Sequence, residues 1–198
     1  MTPGQILAFV GFAIVLAATP GPSNTLLTAT GARVGVVRGL PALLGVAVGM
    51  AVLMFVVAFG VGAIILANPL ILMVVKWIGA AVLCWLAWQI ATSRHTSTDE
   101  TARPLGFPGM IAFQWVNPKS WLAVTSGAAT FLNAGQSGPL VQALMLAIIF
   151  GLVSLPCCFV WLAFGAVVQR ALRSERAIRI FNIAMGLVLA LSVVLFVL

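Results

Sequence analysis

Thr19-Pro20-Gly21-Pro22-Ser23-Asn24 stands inside an apolar run that extends from Ile6 to about Ala32. Proline brings no N–H to a helix, and its ring crowds the carbonyl four residues back. Pro20 and Pro22 therefore free the carbonyls of Leu16 and Ala18 and end any regular helix there. Freed carbonyls cannot face lipid hydrocarbon; they must face protein or a watery cavity. An interruption halfway along a membrane-length run is thus a candidate binding site.

The surrounding composition makes this a membrane problem. Of 198 residues, 63% are hydrophobic and 7% charged, against about 25% charged in a soluble domain. The apolar runs are about 20 residues or longer, the length a helix needs to span a bilayer. They lack the polar–apolar alternation of barrel strands. Six runs follow one another: Ile6–Ala32, Leu40–Ala67, Leu70–Ala91, Phe107–Leu132, Pro139–Val168 and Ile178–Leu198. The sequence predicts an all-α integral membrane protein with six transmembrane helices in one domain, residues 1–198. Met1–Gln5 contain no basic residue, so the first run does not read as a cleaved signal and is expected to remain.

Charge orients the chain. Eight of its ten basic residues lie between runs: Arg33 and Arg38, Arg94 and Arg103, and Arg170, Arg173, Arg176 and Arg179. The connections at Asn68-Pro69 and Asn133–Gly138 carry no charge. The positive-inside rule makes the basic connections cytoplasmic and puts both termini outside. A net charge of +7 distributed in this way is orienting charge, and no nucleic-acid motif accompanies it.

The runs divide into halves of three, about residues 1–92 and 105–198, joined by a cytoplasmic linker at about 92–104. Three is odd, so the halves are expected in opposite orientations. The first run of each half is broken by proline, at Pro20/Pro22 and at Asn117-Pro118-Lys119. Paired breaks in inverted halves point to a transport site near the midplane. The lone Pro156 reads as a tolerated kink.

Lys119 lies halfway along the fourth run. A charge at that depth is costly and usually faces a cavity where it works. Its expected task is to hold an anion such as a substrate carboxylate, helped by N–H groups at broken helix N-termini. Ser23, Asn24, Gln114 and Asn117 offer hydrogen bonds to substrate; the plainer role for Ser23 and Asn24 is to satisfy the carbonyls freed by the prolines. Trp115 and Trp121 are candidates to stack on a cationic substrate group or on Lys119, with apolar packing or an interfacial anchor an equal alternative; Trp161 is a candidate to line the cavity, and Trp77 and Trp88 read as interfacial belt residues. Gly45 and Gly49 permit close helix approach, within the fold or between protomers.

Other chemistry is poorly provided for. Asp99, Glu100, Glu175 and His95 all fall between runs. No base stands at depth beside a nucleophile, and no acid or histidine relay crosses the membrane. Cys84, Cys157 and Cys158 lack metal-ligand spacing and read as packing thiols. No cofactor or metal is expected, and no catalytic residue.

Pro20-Gly21-Pro22-Ser23-Asn24, the glycines at 31, 35, 39, 45 and 49, and Asn117-Pro118-Lys119 resemble the LysE/RhtB family of amino-acid exporters, over essentially the whole chain. Trp77–Ser93 is similar to the third span of its cysteine/O-acetylserine exporters. The resemblance implies secondary transport of small amino acids or derivatives out of the bacterial cytoplasm, across the inner membrane. Many members carry an acid where this chain has Met50, and another in the fifth run, which here reads Val153-Ser154-Leu155-Pro156-Cys157-Cys158. A coupling proton thus lacks its usual carrier, and a basic substrate would lack a partner for its side-chain cation.

The expected function is export of small neutral amino acids. The substrate site comprises Pro20, Gly21, Pro22, Ser23, Asn24, Gln114, Asn117, Pro118 and Lys119. Coupling to a proton or another ion and homodimer formation stay open. The alternatives are a membrane enzyme acting on lipid, with Ser154 or Cys157 as nucleophile, and a structural or assembly subunit docked through its glycines.

Overall fold

Thr2 opens the first helix with a reciprocal cap: its Oγ1 accepts from Gln5 N–H at 3.3 Å, and Gln5 Oε1 accepts from Thr2 N–H at 2.9 Å. Pro3 follows at the first helical position, where a missing N–H costs nothing. Thr2→Ala removes half of this box. We expect a loss of about 1 kcal/mol, read as roughly fivefold faster amide exchange at Gln5 in detergent-purified protein.

A computed structural model of the chain describes residues 1–60, 62, 67–93, 104–132, 138–172 and 174–197. These hold seven helices: α1 (Pro3–Ala18), α2 (Pro22–Ala58), α3 (Pro69–Thr92), α4 (Phe107–Val116), α5 (Pro118–Phe131), α6 (Pro139–Ala171) and α7 (Glu175–Val197). No strand occurs among the described residues. Among the described residues, three helices are long and apolar enough to cross a membrane by length and composition: Pro22–Ala58, Pro139–Ala171 and Glu175–Val194. Arg94, His95, Asp99, Glu100 and Arg103, most of the 133–138 connection, and Arg173 lie outside the described residues.

α2 is two helices in sequence. Gly35 is non-helical, with φ 76° and ψ 178°. That φ lies in the left-handed region that glycine enters without a steric cost. The first and second apolar runs therefore meet at a single residue. The helix beyond Gly35 extends to Ala58, so the second run, read from Leu40 to Ala67, begins earlier in helical form and turns at Phe59 and Gly60. Pro156 is accommodated inside α6 without ending it.

Packing follows membrane rules. Lipid tails are as apolar as leucine, so close van der Waals fit rather than water exclusion holds helices together. The most extensive contact is α2 with α6; α4 packs on α2, α1 on α6, and α3 on α7. Glycines set the distances. A Cβ on Gly31 would overlap the Leu162 carbonyl oxygen, and one on Gly165 would overlap that of Thr28. A Cβ on Gly45 would stand 2.5 Å from the Phe107 carbonyl oxygen, and one on Gly49 3.0 Å from Ile111 Cα. Gly45 and Gly49 thus serve contacts within the fold, against α4. Asn182 ties α7 to the end of α3, donating to the Ser93 carbonyl at 3.0 Å. Leu152, Val160 and Phe164 of α6 and Trp77 and Trp88 of α3 project outward, as lipid-facing residues do.

Candidate functional site

Each proline sets the residue before it. Steric clash with the ring disfavours the helical region for that residue. Thr19 (ψ 135°), Gly21 (φ 176°, ψ −178°) and Asn117 (φ −87°, ψ 112°) are all extended. Helix α1 therefore ends at Ala18 and α2 starts afresh at Pro22; α4 ends at Val116 and α5 starts at Pro118. Both interruptions read from the sequence are present.

The freed carbonyls of the first break find side-chain donors. Asn24 Nδ2 donates to the Ala17 carbonyl at 2.9 Å and to the Thr19 carbonyl at 2.8 Å. Trp161 Nε1 donates to the Ala18 carbonyl at 3.2 Å. Lys119 reaches across from the second break, its Nζ donating to Thr19 O and, at 3.3 Å, to Pro20 O. A cation at the carbonyl end of α1 matches the helix dipole. No buried side-chain nitrogen or oxygen among the described residues lacks a partner.

The second break is capped from within. Asn117 Oδ1 accepts from the Lys119 N–H at 3.1 Å. Its Nδ2 donates to Ser23 Oγ at 2.9 Å, and Ser23 Oγ donates to Gln114 Oε1 at 3.1 Å. Ser120 Oγ donates to the same Gln114 oxygen at 2.7 Å. One polar chain thus links the two breaks, buried between apolar helices. Asn24→Asp is nearly isosteric but replaces two donors by acceptors that face carbonyls. Each group left unsatisfied costs about 1–3 kcal/mol. A sharp fall in the monodisperse fraction on size-exclusion chromatography is expected.

Beside this chain lies a small open-sided cavity, whose empty space counted out into open solvent is about 380 Å³. Gly21, Ser23, Asn24, Asn117 and Lys119, all anticipated from the sequence, line it. Pro20, Pro22, Gln114 and Pro118 do not: the prolines shape the chain, and Gln114 orients the two serines from behind. Trp161 does not line it either, being spent on Ala18; Trp115 and Trp121 pack edge-on against each other at 6.2 Å. Missed by sequence reasoning were Ser120 and the apolar lining of Val46, Ala123 and Phe150; Met50, singled out only as a position where many family members carry an acid, lines the cavity too. Ser154 and Cys158 also line the cavity; Ser154 Oγ bonds back to the Phe150 carbonyl at 2.7 Å, and Cys158 Sγ lies 3.6 Å from Asn24 Oδ1. Neither has an adjacent base.

Gly21 is required here for space rather than for its backbone angle. A Cβ at that position would stand 2.6 Å from Lys119 Cδ and 3.1 Å from Nζ. The glycine leaves the corridor through which the lysine passes from α5 to the first break.

Apolar helices that carry two broken segments, with one buried polar chain and one lysine between the breaks, define a multi-pass membrane protein built around a small internal cavity. The chain belongs to the family of LysE type translocators, whose pattern matches residues 14–198. Among its relatives, a cysteine/O-acetylserine efflux protein of Salmonella typhimurium strain LT2 is 31% identical over 189 residues, 96% of this chain and 95% of the relative. The protein of that name from Klebsiella pneumoniae is 35% identical over 132 residues, 67% of each chain. The one from Escherichia coli K12 is 29% identical over 189 residues. No solved structure gives a significant match. The protein is therefore a membrane transporter and not an enzyme.

Proposed function

We propose that the protein exports small neutral amino acids or their derivatives across the bacterial inner membrane, with the substrate carboxylate held at Lys119 between the two broken helices. The position of the Lys119 ammonium carries this reading. It projects into the cavity where α2 and α5 begin, and it is held there by two carbonyls that solvate it without cancelling its charge. The relatives named for cysteine/O-acetylserine efflux support the substrate class.

In this reading, residues 3–34 and 107–131 are the broken first spans of two inverted halves. The packing supports that symmetry. The broken span of each half lies against the second span of the other, through Gly31 on α6 and through Gly45 on α4. The third spans, α3 and α7, pair with each other. Rocking of one half against the other would expose the chamber to each side in turn. The basic connections face the cytoplasm, and both termini face outward.

The test is to profile amino acids released by cells that overproduce the protein. Selective accumulation of a neutral amino acid or derivative outside is expected, with a matching fall inside. Unchanged profiles on both sides would refute the reading. Repeating the assay with the proton gradient collapsed reports on coupling.

A further inference from the structure

We infer that the cavity holds an amino acid by both ends, its ammonium group received by three neutral oxygens: the Leu16 carbonyl, Asn24 Oδ1 and Ser154 Oγ. This rests on the reading of the cavity as the export site, and it adds Ser154 to that site as a residue that recognises the amine. All three residues line the cavity.

The first break supplies the leading acceptor. Pro20 has no N–H, so the carbonyl four residues back, that of Leu16, loses its helical donor. The other carbonyls of the break are engaged. Ala17 and Thr19 receive Asn24, Ala18 receives Trp161, and Thr19 and Pro20 receive Lys119. No donor among the described residues reaches the Leu16 carbonyl. It stands in the last turn of α1, where the helix dipole favours a cation. Two side chains have acceptor capacity left beside it. Asn24 spends its Nδ2 on the break, and its Oδ1 receives only a thiol, Cys158 Sγ at 3.6 Å. One turn before Cys158 on α6, Ser154 Oγ donates to the Phe150 carbonyl at 2.7 Å and keeps its lone pairs. Three oxygens from α1, α2 and α6 match the three N–H groups of an ammonium.

The spacing suits an α-amino acid, in which one carbon separates the charged groups. The Thr19 carbonyl receives both Lys119 Nζ and Asn24 Nδ2, so the carboxylate's cation and the amine's amide stand side by side. Helices α2 and α5 begin at the carboxylate, and α1 finishes at the ammonium. Each dipole end therefore faces the charge it favours. The apolar lining of Val46, Met50, Ala123 and Phe150 is left for the substrate side chain.

Inside-out membrane vesicles from cells producing the full chain give the test, with radiolabelled L-cysteine, kept reduced, as the transported probe. Its counterpart without the amine, 3-mercaptopropionate, is the competitor. In the wild type, halving uptake should take at least roughly tenfold more of it than of unlabelled cysteine, because hydrogen bonds to a charged group are lost. Ser154→Ala should raise the half-saturating concentration of cysteine roughly five- to tenfold and leave inhibition by 3-mercaptopropionate where it was. A parallel loss for both molecules would make Ser154 a packing residue and overturn its part. Equal inhibition by the two in the wild type would overturn the whole inference and leave the export reading standing. No cysteine uptake above vesicles lacking the protein, together with unchanged release profiles from whole cells, would remove both. The wild-type comparison decides the matter alone if the alanine variant does not assemble.

Discussion

Replacing Lys119 with alanine is expected to bring export down to the level of cells without the protein, a fall of tenfold or more, while the chain still inserts and folds. The lysine is the only cation facing the cavity among the described residues. Losing a charge-assisted bond to a carboxylate in a partly dehydrated site costs about 1.5–3 kcal/mol, and the lost attraction between opposite charges adds to that. The Thr19 carbonyl keeps its bond from Asn24 when Nζ is gone, so the first break stays supported. Lys119→Arg keeps the charge, but a planar fork does not replace a compact ammonium in the corridor beside Gly21. Partial activity is expected. Efflux rates from preloaded cells, normalised to the amount of protein in the membrane, distinguish these outcomes.

The second large effect concerns assembly. Gly31→Leu and Gly165→Leu should each abolish recovery of folded protein. At these two positions α2 and α6 meet backbone to backbone, each glycine under a carbonyl oxygen of the other helix. Even a methyl would overlap that oxygen, so the helices must separate along their whole crossing. Overpacking of a tight interior costs about 1–3 kcal/mol; a leucine at a backbone contact in α2, which also carries Ser23 and Asn24, belongs at or above the top of that range. Gly11→Ala is the control. A Cβ there meets nothing within 4 Å, and no loss is expected. Thermal unfolding in detergent, followed by size-exclusion chromatography, measures the difference.

The breaks were legible because proline acts locally. Pro20 and Pro22, one residue apart around a glycine, and Pro118 behind the capping Asn117 bias the residue before each of them away from the helix. Lys119 was legible because a charge inside an apolar run has no cheap placement. Gly35 was not: among closely spaced glycines, nothing local tells which one takes a positive φ. Gln114 was read as a ligand but holds Ser23 and Ser120 from outside the cavity wall. Its role depends on α4 and α2 crossing at Gly49, a tertiary fact. The far wall was hidden for a similar reason. Val46 and Phe150 look like any other lipid-span residues until α2 and α6 are brought together, and Met50 stood out only through the resemblance, as a position where many members carry an acid. Ser120 did carry a signal, since it stands one helical turn beyond the cap Asn117, on the face that turns toward the break.

If the two breaks enclose an aqueous, substrate-holding chamber, its lining is open to water-borne reagents. Ala123, which lines the cavity and makes no side-chain hydrogen bond, is the place to test it. In a chain whose Cys84, Cys157 and Cys158 are changed to alanine and which still exports, Ala123→Cys should react with a small charged methanethiosulfonate, and the exported substrate should slow that reaction. A thiol at that position that is inert to the charged reagent, yet open to an apolar maleimide with no protection by substrate, would contradict the chamber.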